Sequence, residues 1–351
     1  MRFVVSRDAL VSAVTSVKDT IGTDLPVLAG VMMEVGDRAT FTTSDMRSNT
    51  VCTVPAVIED GGRAVVPHRR LLDLAKRLPD KPVSLVLDGN VVNVACGRTR
   101  AKLMTVPPDD FPPVESARDV VITLPGDVVS EIDAMVRPFV GSDPGKPVLD
   151  GIHVMSDGAR LSVEATDSYR AVSYEVETEC QVAEVLIPSK AFSTAARAST
   201  GDMTVACTDG RVTLSSGGFA LTAQVPSGAY PDIARIMPDG HGATATLDAG
   251  EMVDALGRMM VYEPMSVLVS LGTDGVTLSS TGSEGGAVEV VPAGCDATGL
   301  EVALNCKYLR EAMRALDGDV EMTVLGNVNP VLISQGCDGR RYRHLLMPVY
   351  R

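Results

Sequence analysis

Arg69 and Lys76, Lys190 and Arg197, and Lys307 and Arg314 form three pairs of basic residues with a common spacing of seven. Seven residues is close to two turns of α-helix, so each pair would project from one helix face. Guanidinium and ammonium groups placed this way do electrostatic rather than covalent work: they attract rows of anions such as phosphates. Arg70, Arg77 and Arg310 add to the same stretches, whose only acidic residues are Asp73 and Glu311. One such helix would be an ordinary solvated face; three copies in one register point to an anionic partner contacted on one side. The concentration is selective, because the whole chain is acidic, with 31 Lys plus Arg against 45 Asp plus Glu and a net charge of −14.

Residues for covalent chemistry are harder to assemble. The segment GSDPGKP at 141 to 147 contains Gly-Lys, but Val140 stands where a phosphate-binding loop needs its first Gly, and Pro147 where Ser or Thr would hold magnesium. The four His, at 68, 153, 241 and 344, show no metal-binding spacing, and His153 on an alternating strand is expected to be a satisfied sheet residue. GSEGG near Gly282 lacks the strand-to-helix setting of a nucleophile elbow, and Asp109 and Asp110 within DDFPP fit an interdomain turn better than an acid/base pair. No catalytic residue, metal or cofactor is therefore expected.

The elements that position the basic pairs recur along the chain. Pro26, Pro147 and Pro264 open LPVLAGVMM-, KPVLDGIHV- and EPMSVLVSL-type runs, each a Pro followed by a strand-like segment. Pro67, Pro188 and Asn305 open three short amphipathic helices, PHRRLLDLAKRLPD, PSKAFSTAARASTGD and NCKYLREAMRALDGD, and in every copy 41 residues separate the two landmarks. An earlier helix precedes each strand, with apolar residues at helical spacing: Val11, Val14 and Val17; Val129, Ile132 and Met135; Val253, Leu256 and Met259. Hairpins with Gly/Asp turns lie between, as in CTDGRVTLSSGG. The expected fold class is α+β, as three tandem domains at 1–118, 119–241 and 242–351.

With 351 residues and only 4% aromatics, no Trp and 16 Met, the cores must rest on aliphatic packing. The seven Cys form no C-x-x-C pair and are expected to be scattered, mostly buried free thiols. The start MRFVVSRDALVSAV has no signal-peptide core, and no run approaches the ~20 apolar residues of a membrane span. A cytoplasmic protein without membrane contact is expected.

Several of these segments carry a family resemblance over nearly the full length. LPVLAGVMMEV, DDFPPV at 109 to 114, VLDGIHV, VEATDSYRAV, AYPDIARIMP, LNCKYLREAMRAL and the ending HLLMPVYR resemble the bacterial sliding clamp, the beta subunit of DNA polymerase III. The resemblance implies three DNA-clamp domains, each with two helices on antiparallel sheets, in a head-to-tail homodimeric ring. Its inner helices would face double-stranded DNA without sequence preference, through Arg69, Arg70, Lys76, Arg77, Lys190, Arg197, Lys307, Arg310 and Arg314. A peptide groove would capture short linear segments of the replicative polymerase, the clamp loader and repair proteins. By the same resemblance its positions are Leu149, Thr166, Ser168, Tyr169, Arg170 and Ala171; Pro231, Arg235 and Ile236; and Val328, Leu345, Leu346, Met347, Pro348, Val349 and Tyr350. Arg170 and Arg235 would fix polar or acidic ligand groups, and Ala101, Leu103, Val261 and Tyr262 would lie at the dimer joint.

The chain departs from the family pattern at Ser168-Tyr169-Arg170-Ala171, where Gly-His-Arg-Leu is common, at the loop 20 to 26, which lacks an Arg often present there, and at Ala101, often an aromatic. Two other readings stay open: a diverged clamp paralogue or phage-encoded copy with other partners, and a three-domain hydrolase or ligand-binding protein.

Overall fold

The computed structural model describes residues 1–238, 242–262, 265–282 and 285–349. Pro264, His241 and Tyr350 lie outside them. The helices fall where the apolar spacing placed them: α1 (Arg7–Ser16), α2 (His68–Arg77), α3 (Gly126–Met135), α4 (Ser189–Ala198), α5 (Ala249–Met259) and α6 (Cys306–Arg314). Side-chain caps start several of them. Ser6 accepts from the Ala9 amide, Asp248 from Glu251 and Asn305 from Tyr308, each satisfying an amide that the first helical turn leaves free.

The first and the third helix pair each pack an apolar stripe on strands. Leu10 and Val14 of α1 and Leu71 and Ala75 of α2 share a core with Phe3, Phe41, Leu85 and Val92. Leu256 and Met259 of α5 and Leu309 and Met313 of α6 join Leu247, Leu278 and Ile333 in the same way. Fully burying an aliphatic side chain contributes about 1.5–3 kcal/mol, so aliphatic residues and Met suffice without Trp. The Asp209-Gly210 turn has φ of 52° and 72°, the left-handed pair that a two-residue hairpin needs and that Asp and Gly tolerate.

Among the described residues the strands form sheets of five, eight, nine and four members. In the eight-stranded sheet Phe219–Gln224 pairs antiparallel with Ser48–Val54, and in the nine-stranded sheet Arg170–Glu177 pairs with Arg340–Leu346. Strands from different sequence repeats thus share one sheet, which hides edges that would otherwise be open to aggregation. The chain packs into two compact units, Met1–Val129 with Lys190–Val225, and Ser130–Ser189 with Pro226–Arg351.

The seven cysteines are free, but only Cys52, Cys96 and Cys306 are buried; Cys180, Cys207 and Cys295 are half-buried and Cys337 is exposed. The expectation of mostly buried thiols is corrected accordingly: several sit near strand ends, where one face of the sheet is wet.

Candidate functional site

The six seven-spaced basic residues are all exposed, while the opposite helix faces bury Leu71 and Ala75, Phe192 and Ala195, and Leu309 and Met313. Their electrostatic freedom differs. Arg69 and Arg77 flank Asp73 at 3.9 and 3.6 Å, exposed pairs worth a few tenths of a kcal/mol each (~0.3–0.5). Lys307 lies 3.9 Å from Glu311 one turn on. Arg197 is more committed: its guanidinium meets Asp19 at 2.9 Å and bonds to Ser193 and Thr194. Arg310 is half-buried and donates from Nε to the Val253 carbonyl of α5, so it braces the helix pair more than it faces solvent.

The positions around Arg170 converge in the second compact unit. Thr166 Oγ1 donates to the Arg170 carbonyl, and Asp167 Oδ1 accepts from the amides of Tyr169 and Arg170, closing a tight turn. Ser168 at its tip has φ of 78°, a left-handed conformation that glycine adopts with less strain. The turn lifts Tyr169 to 64% exposure, with its ring 6.5 Å from Tyr308. Alongside runs the tail: the Met347 amide donates to the Tyr169 carbonyl and the Val349 amide to that of Ala303.

Beneath these lies an apolar floor. Ala171 sits opposite Leu345 in the strand register, and Ile233 and Met237 pack on both, with Leu332 and Tyr230 at the margin. Leu149, Thr166 and Leu346 are buried, whereas Ile236, Val328, Met347 and Val349 are exposed apolar residues. Flexible Met beside aliphatic side chains makes an adaptable apolar surface.

Two expectations change. Arg170 is not free to hold a ligand acid: only 8% exposed, it is held by Asp167 at 2.8 Å and Glu311 at 2.6 Å, beneath the Tyr308 ring at 4.1 Å. It stiffens the turn instead. Arg235 is exposed but already paired with Asp232 at 2.9 Å. Leu103 is not at the surface either. It faces Val92 across the sheet and is 6% exposed within the first core, while its neighbour Met104 is 65% exposed on the edge strand Thr99–Met104. Ala101 is half-buried; Val261 and Tyr262 are exposed, and the Tyr262 ring lies against Gly285 at the start of the edge strand Gly285–Val291 with its outward Val288 and Val290.

Tyr308 and Glu311 were not singled out for the groove from the sequence. The available signal was an aromatic residue beside Lys307 on a strongly basic helix. Two histidines have structural roles: His68 bonds through Nε2 to the Val14 carbonyl, and His344, wholly buried between Tyr342 and Phe139, has its pKa pushed down to about 3 by burial and then by Arg170.

Helices packed on antiparallel sheets, with a basic helix exposed in each of three sequence repeats of an acidic chain, fit the class of tandem-domain DNA clamps. Family profiles agree in order: the DNA polymerase III beta subunit N-terminal domain matches residues 1–115, its central domain 123–232 and its C-terminal domain 234–350. The chain belongs to the DNA polymerase III beta subunit family, the bacterial sliding clamps. The beta sliding clamp of Streptomyces coelicolor is 27% identical, with 99% of each chain covered. The Bacillus subtilis clamp structure superposes with a TM-score of 0.92 at 21% identity, covering 100% of this chain and 99% of that one. The Thermotoga maritima beta subunit gives 0.91 at 23%, with the same coverage. Among the described residues no helix is long and apolar enough to cross a membrane.

Proposed function

We propose that this chain is a non-catalytic processivity clamp of the cytoplasm. Two copies joined head to tail encircle duplex DNA and tether a polymerase and other peptide-bearing partners. The observation that carries the reading is the triplicated, solvent-facing basic helix on a chain of net charge −14. Phosphates attract those helices whatever the base sequence, so the ring slides, while closure prevents escape. A tethered polymerase then works at high effective concentration at the primer end. Domains at 1–118, 119–241 and 242–351 fit this role. The dimer joint pairs the edge strand carrying Met104 with the edge strand carrying Val288 and Val290, beside Val261 and Tyr262. A mass in solution near twice 36.9 kDa, with retention on nicked circular DNA and release from linear DNA, tests the reading. A monomer, or equal loss from both DNA forms, would overturn it.

The groove around Tyr169, Tyr308, Ile236, Val328 and Met347 is the proposed peptide site, and Tyr350 belongs to the same proposal. Deleting Met347 to Arg351 removes Met347 and Val349 from its rim but leaves buried Leu345 and Leu346 in place. Folding should survive, and affinity for a Gln-x-x-Leu-Phe-type peptide should fall at least about tenfold, since a few apolar anchors dominate small interfaces. Calorimetry with fluorescence anisotropy on one sample decides: a lower melting temperature with intact binding would make the tail part of the core only. Ser168 and Tyr169 favour a second, narrower reading, a clamp paralogue whose peptide preference differs from that of relatives with Gly-His there.

A further inference from the structure

His153 occupies an unusual position on the strand Gly151–Ser156. Its Nε2 lies 3.0 Å from Glu184 Oε1 on one side, and its Nδ1 3.5 Å from Glu164 Oε2 on the other. The His153 and Glu164 side chains are 12% and 8% exposed, whereas Glu184 is largely in solvent. A neutral imidazole has one donor nitrogen and one acceptor, so it serves only one of two flanking carboxylates; the imidazolium serves both. Among the described residues Glu164 has no other cationic partner, and a buried carboxylate without one is costly.

The same ring touches the segment that follows the eight-stranded sheet. Tyr230 lies over it, with centroids 4.8 Å apart and planes tilted by 34°. From Tyr230 the chain continues through Ile233 and Met237, both buried on Ala171 and Leu345, to the exposed Ile236 of the groove rim. A short turn, with the Ile236 and Met237 amides donating to the Ile233 carbonyl, ties these residues into one piece.

We propose that His153 is a protonation-controlled latch: its imidazolium, held by Glu164 and Glu184, packs under Tyr230 and keeps the Tyr230–Met237 segment docked on the sheet. Burial lowers the affinity of this imidazole for its proton, but the two glutamates outweigh burial and set its pKa above the ordinary 6.5. Burial, then the charge of Glu164, raises the Tyr230 phenol, which therefore stays neutral. The charged groups facing the ring are thus Glu164 from the strand Arg160–Thr166 and Glu184 from Ala183–Pro188. Because the docked pKa is raised, the latch is fully closed below about 6.5 and is lost as pH rises through the docked value. Opening should increase by up to about tenfold for each pH unit within that window.

The latch stands on its own geometry; only its effect on peptide capture rests on the groove reading above. Hydrogen exchange of the 233 to 237 amides, corrected for intrinsic rates and measured on the full-length protein from ~pH 6 to ~pH 8.5, tests it. Wild-type protection should fall with pH, and H153Q should show a flat, low profile. Should H153Q not fold, E164Q serves, since without the buried negative charge, and with only the exposed Glu184 left to hold the imidazolium, the pH dependence should shrink. A flat wild-type profile, or a wild-type-like slope in either variant, overturns the latch. A Gln-x-x-Leu-Phe-type peptide titrated in parallel should bind less tightly as protection falls. If that peptide binds at no pH while protection still follows His153, the groove reading fails and the latch stands.

Discussion

Replacing Arg69, Lys76, Lys190, Arg197, Lys307 and Arg314 together with serine is expected to abolish most DNA association while leaving the fold intact. All six are exposed and their ion pairs are weak ones at the surface, so the melting temperature should move little. Each neutralised phosphate contact contributes about 0.9 to the slope of log affinity against log salt. Losing several contacts per subunit should flatten that slope by several units and weaken binding on the order of a hundredfold to a thousandfold near 0.1 M salt. The six should not contribute equally. Arg197 already answers Asp19, so its single substitution should matter less than that of Lys190, which has no ion pair among the described residues. Anisotropy titrations on a duplex at several salt concentrations, with circular-dichroism melting as the folding control, read both quantities. An unchanged slope in a folded variant would mean that these helices do not face DNA.

Leu103→Asp and Met104→Asp should part company although the two residues are adjacent. Leu103 is 6% exposed in a core with Phe3, Leu85 and Val92, where a carboxylate would be set among apolar side chains. Burying an unpaired charge costs several kcal/mol, on the order of 3–5, against a typical total stability of 5–15 kcal/mol. The first domain of L103D should therefore fail to fold at ordinary temperature. Met104 is 65% exposed on an edge strand, so Met104→Asp should fold normally and weaken the dimer by placing a charge at the proposed joint. Melting curves and sedimentation at micromolar concentration separate the outcomes. A folded, monomeric L103D with wild-type melting would return Leu103 to the interface, and a fully dimeric M104D would move the joint elsewhere.

Much of this architecture is written locally in the chain. Helices α1 to α6 are visible because Val11, Val14 and Val17, or Leu71 and Ala75, recur at the period of a helix whatever surrounds them. The repeat is visible because turn prolines and hairpin Asp-Gly pairs act within a few residues. The basic faces are visible for the same reason, since residues seven apart share a helix face before any tertiary contact exists. Features that depend on distant partners are not legible in this way. Alternation along Thr99–Met104 puts Ala101 and Leu103 on one face and Lys102 and Met104 on the other, yet only packing against Val92 and Val94 decides which face is inside. The fusion of repeats into shared sheets depends on strand edges meeting across more than a hundred residues, as when Ala171 registers with Leu345. Arg170 stands in a motif that suggests a ligand-binding cation, but Glu311, 141 residues away, takes up its charge. His153 is an unremarkable strand residue until Glu164, Glu184 and Tyr230 close around it. In each case the deciding term is the desolvation of a side chain by groups remote in sequence, which local patterning does not encode.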